Sequence, residues 1–537
     1  MKVGLYKCPI IFLSVLICLS GCTSAHKQPA IFPGDTWQRS TPEAQGVDSN
    51  MLLDAFKLLD LPRSAVNSMV VIRNGYIIAE YYRQPYTKET RQMINSSTKS
   101  FTSALMGIAI DEGIVKSTHE RVMKYFPDYS NDDPRAQKMT IEDLLTMRSG
   151  LQWNSWELPL SDPNNDWNIV LRQEDWLAYI FSKPFVREPG EAFNYNTGDT
   201  QLVADIIHRA TGGHFIEYAR EKLFEPLGIR SWAWKKTPAG SPVGGAYLVM
   251  KTEDLARLGY LYLNEGMWNG EQLVPKQWVR ASVKPHTQIL AGSYKNMNFH
   301  YGYQWWLLDE NSYSAMGARG QYCFVRPDKN LVIAVNSYEQ RGPEVKRTLA
   351  MMQKEIPNAC ILEEPLPADA ENTKAITEYI AAAEKARPLG LFMSADSIKE
   401  KLNNKRIIFD DDKTALKSIT LTFKDNREIS AEFSYLYNDG TNSKIKLDFN
   451  PAGEFRERTY DSSNPWIYGD KKIQQYYRIS SIEENAITYE IIEPGIQNWE
   501  YAVTLTVNEN NVAFRDYTHY FGVGKPDCFV ITGRIEE

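Results

Sequence analysis

The sequence predicts an α/β sandwich, an antiparallel sheet flanked by helices, followed by a C-terminal all-β domain. Three observations predict it. "SMVVIRNGYIIAEYY" (68–82) is two apolar runs about an Asn74-Gly75 turn, the pattern of a β-hairpin. Apolar-striped stretches at 94–113, 198–213 and 251–266 each run to a glycine, as helices do. "YGYQWWLLD", "QYCFVRPD" and "LVIAVNSY" (301–338) then return as strands. A hairpin, a helical middle and returning strands bury their faces against one another as a sheet with helical layers.

Along the chain, residues 1–21 read as a signal peptide and 22–45 as a tether. Residues 46–358 form the sandwich, with "TIEDLLTMRSG" (140–150) a further short helix. The acidic, proline-bearing "CILEEPLPADAEN" (360–372) marks a linker at 359–372. Residues 373–537 read as a helix, "TKAITEYIAAAEKAR", followed by a β domain. In the latter, "SITLTF", "SKIKLDF", "QYYRIS", "AITYEII" and "YAVTLTV" alternate in polarity between turn signals.

At 537 residues with 43% hydrophobic and 24% charged residues, the chain is long enough for two cores. A net charge of −7 and the lack of any basic run argue against nucleic acid as a partner. Seven scattered histidines offer no metal-ligand spacing, so no metal or cofactor is expected.

Lys2 and Lys7 precede an apolar run, Ile10–Leu19, which is too short to span a bilayer but suits a signal core. It ends in Leu19-Ser20-Gly21-Cys22, which resembles the bacterial lipobox. That resemblance implies lipidation at Cys22, with Thr23 rather than aspartate next in the chain. The expectation is a cell-envelope protein held by a lipid anchor to the outer membrane, facing the periplasm. Beyond the signal and Cys22, the cysteines are Cys323, Cys360 and Cys528; one disulfide is conceivable, of unreadable pairing.

S-x-x-K occurs three times: Ser24–Lys27, Ser96–Lys99 and Ser443–Lys446. Only Ser96 opens a helix. Ser24 lies in the tether, and in the strand pattern at Ser443 positions three apart point to opposite faces. On a helix, i and i+3 are surface neighbours, their Cβ atoms roughly 5–6 Å apart. A lysine sheltered from water there loses basicity and acts as a base toward the serine hydroxyl. The unpaired N–H at the helix start faces a developing oxyanion. Ser96 and Lys99 therefore make a nucleophile without a histidine. There is no G-x-S-x-G, which disfavours a nucleophile-elbow hydrolase.

Beyond that motif, "TPEAQGVDSNML", "INSSTKSFTSALMGIAIDEG", "MTIEDLLTMRSGL", "EPGEAFNYNTGDTQLVADIIHRATG", "VGGAYLVMKTEDLARLGYLYLNEG", "YGYQWW" and "AMGARGQYCFVRPD" occur in order. Over residues 40–340 the chain resembles the serine β-lactamase/penicillin-binding-protein superfamily. The match is to its class C-like branch, with 6-aminohexanoate-dimer hydrolases, esterases and D-aminopeptidases. The resemblance implies a β-lactamase/transpeptidase-like fold and an acyl-enzyme on Ser96. In its second motif Tyr195 is the proton shuttle, with a phenolate stabilised beside Lys99, and Asn196 or Thr197 orients the lysine or the substrate. The third motif falls on Ala315-Met316-Gly317, where Gly317 lets the substrate approach and the Ala318 N–H joins that of Ser96 in the oxyanion hole.

The cation and hydroxyl usual at that third motif are missing. Arg319 either replaces them in substrate binding or is a surface arginine. This departure favours a small ester or amide, D-amino-acid peptides included, over a β-lactam or D-Ala-D-Ala substrate. Ten of the thirteen tryptophans lie between Trp153 and Trp306, and Trp153, Trp156 and Trp167 are candidates for a substrate wall. Asp143 and Asp254 read as helix-start acids. The expected partner is a small molecule or short peptide, with peptidoglycan as a further candidate and the membrane reached through the lipid anchor alone. Two alternatives accompany the reading: a D-Ala-D-Ala carboxypeptidase or β-lactamase, and a non-catalytic cell-wall or ligand-binding protein.

Overall fold

The computed structural model describes residues 30–536 apart from 61–64, 156–157, 159–161, 163, 291–293, 340–342, 386–394, 410–415, 425–427, 437–441, 450–455, 462–471, 483–485, 494–498 and 519–528. Helix α1 (Ser49–Lys57) starts where the Asp48 side chain accepts from the Met51 N–H, and it buries Leu52, Leu53, Ala55 and Phe56. Strands β1 (Val66–Arg73) and β2 (Tyr76–Tyr82) pair antiparallel, with Arg73 opposite Tyr76. The turn needs positive φ at both central residues, and Asn74 (53°) and Gly75 (87°) supply it. Helices α2 (Thr98–Asp111), α3 (Thr197–Ala210) and α4 (Thr252–Leu263) follow, then strands β3 (Ser312–Gly317), β4 (Gln321–Arg326) and β5 (Leu331–Ser337).

The eight-stranded sheet runs β2-β1-β5-β4-β3 and continues through Trp306–Asp309, His300–Tyr301 and Thr287–Gln288, antiparallel throughout. The first hairpin thus joins the last strands, Val71 opposite Ile333. Both faces are covered. Val70, Ile72, Cys323, Val325 and Val332 pack with α2, α3 and α4, whereas Met69, Val71, Phe324, Ile333 and Val335 pack with α1. Burial on both faces explains why β1 and β5 are continuous apolar runs rather than alternating ones. Each such side chain contributes about 1.5–3 kcal/mol on burial.

Contacts extend beyond both ends of the sandwich. Residues 31–37 contact the sandwich. Tyr260 donates to the Ile31 carbonyl (2.9 Å), Arg257 donates to the Gly34 and Asp35 carbonyls (both 3.1 Å), and Trp37 enters the core. The linker is tied back by backbone contacts: Cys360 pairs with Val47 in an isolated β-bridge, and the Leu366 N–H donates to the Glu43 carbonyl at 2.8 Å. The following helix, α5, spans Ala370–Ala383 and belongs to the sandwich rather than to the β domain. Its Ile376 is buried beside α1, and the Tyr379 hydroxyl donates to the Phe56 carbonyl (2.9 Å). Ala375, Ile376, Tyr379, Ile380 and Ala383 form the apolar stripe that requires this cover.

The remaining strands form a ten-stranded antiparallel sheet from Arg406 to Ile535, curled into a nearly closed barrel. Leu421, Ile429, Phe433, Phe449, Tyr489 and Leu505 fill its interior. It meets the sandwich where Tyr476 and Ile492 pack on Tyr86. Among the described residues, no helix is long and apolar enough to cross a membrane. The signal segment and Cys22 lie outside the described residues.

Candidate active site

Ser96 sits in a 3₁₀ turn, Asn95–Ser97, that runs directly into α2. Continuous helical backbone places Lys99 beneath it. Ser96 is partly open to solvent, whereas Lys99 is 1% exposed. The Lys99 Nζ lies 3.2 Å from Ser96 Oγ, 3.3 Å from Thr197 Oγ1 and 2.7 Å from the Gly245 carbonyl oxygen. It also stands 5.1 Å over the centre of the Tyr195 ring. Burial brings its pKa down to about 7. No carboxylate among the described residues pairs with it to hold the charge, so near neutrality a large fraction is the free amine.

Tyr195 is buried, and its hydroxyl is hydrogen-bonded to the Ser96 side chain. Burial pushes the phenol well above its ordinary value and outweighs the opposing bond to Ser96, while Lys99 faces the ring. These surroundings favour the neutral phenol. Tyr301 and Trp306 hold its ring, with centroids 6.5 and 5.8 Å away.

Asn196 and Thr197 divide the tasks left open between them. Asn196 is the fully buried N-cap of α3: its Oδ1 accepts from the Gly198 and Asp199 N–H groups, and its Nδ2 donates to Asp199 Oδ1. Those bonds make Asn196 the cap of α3. Thr197, at the first helical position, is the residue that faces Lys99.

Gly317 ends β3 against the nucleophile turn, where an added Cβ would come 3.1 Å from the Ser96 nitrogen. Ala318 follows, exposed at the tip of the β3–β4 hairpin. Arg319 is a turn residue (φ 63°) whose carbonyl accepts from Ser337 Oγ and Gln321 Nε2. Ala315 and Met316 are buried and present neither cation nor hydroxyl.

Trp153 is corrected from pocket wall to core: it is 2% exposed and packs edge-on to Tyr179. Trp167 is half-buried and stacks on Tyr247 (5.8 Å), and Trp156 lies outside the described residues. Asp143 forms a capping box with Thr140, the helix-start role expected of it. Cys323 and Cys360 are buried free thiols, Cys323 pushed up to about 12 by burial; Cys528 is outside the described residues. No group of His, Cys, Asp or Glu among the described residues is arranged to hold a metal.

Two further residues emerge from tertiary contacts. Gly245 supplies the shortest bond to Lys99, and a Cβ there would lie 2.6 Å from Thr197 Cγ2 and 3.0 Å from Lys99 Nζ. Gln304, buried, joins three elements. Its amide donates to the Leu144 (3.1 Å) and Leu145 (2.9 Å) carbonyls, its Oε1 accepts from Thr200 Oγ1 on α3, and its carbonyl accepts from Ser100 Oγ on α2. The Gly-Gly pair at 244–245 and the Gln within "YGYQWW" are their signals in the sequence, but neither names a partner.

A serine activated by a buried lysine, beside a tyrosine and a backbone hairpin, defines a class of acyl-transfer hydrolase. The Beta-lactamase family model matches residues 63–355, and the chain belongs to that family as a serine hydrolase of the β-lactamase/penicillin-binding-protein type. The 6-aminohexanoate-dimer hydrolase of Paenarthrobacter ureafaciens is 24% identical over 299 residues, 51% of this chain and 72% of its own. A D-aminopeptidase of Brucella anthropi is 24% identical over 173 residues, 30% of this chain and 31% of its own. The octameric penicillin-binding protein homologue of Pyrococcus abyssi superposes with a TM-score of 0.44 at 18% identity, over 89% of this chain and 99% of its own.

Proposed function

We propose that the protein forms an acyl-enzyme on Ser96 and hydrolyses a small ester or amide, D-amino-acid peptides included, outside the cytoplasm. The observation that carries this reading is the Lys99 amine, buried with no carboxylate among the described residues paired to it and 3.2 Å from the Ser96 hydroxyl. Ser96 Oγ attacks the carbonyl carbon as its proton passes to Lys99. The N–H groups of Ser96 and Ala318 receive the oxyanion. The C–O or C–N bond breaks as the Tyr195 hydroxyl protonates the leaving group, and the Lys99 ammonium returns a proton to Tyr195. Water then attacks the acyl carbon, with Lys99 again the base, and Ser96 is released.

Ala315 and Met316 favour an uncharged acyl donor over one anchored by a terminal carboxylate, which weighs against the carboxypeptidase and β-lactamase readings. The lipobox-like Leu19–Cys22 supports a lipid anchor at the outer membrane, with a periplasmic small molecule, short peptide or peptidoglycan fragment as substrate. Residues 23–537 are expected to hydrolyse a short-chain p-nitrophenyl ester and to show an acyl adduct by intact mass, both lost in Ser96→Ala. An adduct that never turns over would instead support a binding role. Equal activity in wild type and Ser96→Ala would remove Ser96 as the nucleophile.

A further inference from the structure

The residues on either side of the nucleophile tie the turn to the hairpin that carries the second oxyanion donor. Asn95 Nδ2 donates to the Ala318 carbonyl at 2.7 Å. On the other side of Ser96, the Ser97 hydroxyl donates to the Gln321 carbonyl at 2.9 Å. Both residues are buried, and both bonds cross more than 220 positions of sequence. Gly317 permits the close approach between them. Asn95 itself adopts a left-handed conformation, φ 46°, which asparagine tolerates better than other side-chain-bearing residues. Its own carbonyl is held by Thr98 Oγ1 at 2.6 Å, so the side chain is aimed by a turn fixed at its other end.

The consequence is geometric. The tip of the hairpin, Ala318-Arg319-Gly320, lies outside the β3–β4 ladder, and Ala318 is exposed. The placement of its N–H relative to that of Ser96 is therefore not set by the sheet alone. We infer that Asn95 is a positioning residue whose amide, by holding the Ala318 carbonyl, sets the spacing of the two oxyanion-hole N–H groups. This rests on the proposed acyl-enzyme at Ser96. Donors placed where charge develops are effective only in register, and removing one donor outright lowers turnover about 10²–10³-fold. Losing the clamp leaves the donor present but unfixed, so a smaller loss is expected.

Two substitutions keep the left-handed backbone and remove the donor: Asn95→Gly, and the near-isosteric Asn95→Asp. Asn74→Gly serves as control, because it replaces another left-handed asparagine at the opposite end of β1. With each preparation normalised to active sites by a fluorophosphonate label, both Asn95 variants should acylate about 10- to 100-fold more slowly. Affinity for a boronic acid that mimics the tetrahedral state should fall in parallel. The pH midpoint of acylation should stay at its wild-type value in Asn95→Gly, which adds no charge near Lys99, and Asn74→Gly should behave as wild type. Wild-type acylation in both Asn95 variants, or slowed acylation with unchanged boronate affinity, would overturn the inference. Activity surviving Ser96→Ala is the separate result that would overturn the acyl-enzyme itself.

Discussion

Thr197 offers direct control over the charge on Lys99. Thr197→Asp places a carboxylate where Oγ1 now lies, 3.3 Å from Nζ, at a helix position that accepts acids well. An opposite charge at that range raises the pKa of a cation by roughly 1–3 units. Starting from about 7, the midpoint should move to roughly 8–10. Only the neutral amine serves as base, so acylation at pH 7 should fall roughly 5- to 500-fold and recover as the pH rises. Thr197→Val works in the opposite direction. It deletes an acceptor that favours the ammonium, and a differential loss of about 1 kcal/mol lowers the midpoint by roughly one unit. The assay is the stopped-flow burst of p-nitrophenol from pH 5 to 10, with Ser96→Ala subtracted as background. Midpoints that stay at the wild-type value in both variants would refute Lys99 as the titrating base.

The same lysine costs stability. Its folded pKa lies below its unfolded value of 10.5, so the unfolded chain binds the extra proton between pH 7 and 10.5, and stability rises with pH across that window. The penalty is complete below pH 7, at about 5 kcal/mol as an upper bound. Lys99→Met is expected to be inactive yet more stable than wild type at pH 6, by about 2 kcal/mol once the lost bond to the Gly245 carbonyl is counted, and to lose that advantage toward pH 10; urea melts at both values measure it. Gly245→Ala should lower acylation more than 100-fold and destabilise by about 1–3 kcal/mol, because its Cβ meets Thr197 and Lys99, and a burst assay paired with a thermal melt checks both.

The sequence by itself determined the elements and the chemistry carried within one element. Helical spacing put Ser96 and Lys99 on one face, and the Asn74-Gly75 turn fixed the first hairpin, because both depend on neighbours within four residues. The alternating runs after residue 400 announced strands for the same reason. Tertiary structure decided what those elements meet. The apolar stripe of α5 was visible, but that it covers α1 rather than the barrel depends on contacts more than 300 residues apart. Trp153 and Asn196 are residue types that suit a binding site. Their burial, set by the packing around Tyr179 and by the cap of α3, makes them structural. The pKa of Lys99 depends on water excluded by Thr197 and Gly245, and the protonated state of Tyr195 on the Tyr301 and Trp306 rings. Desolvation is a property of the surrounding volume, which is assembled from distant segments and has no local signature in the chain.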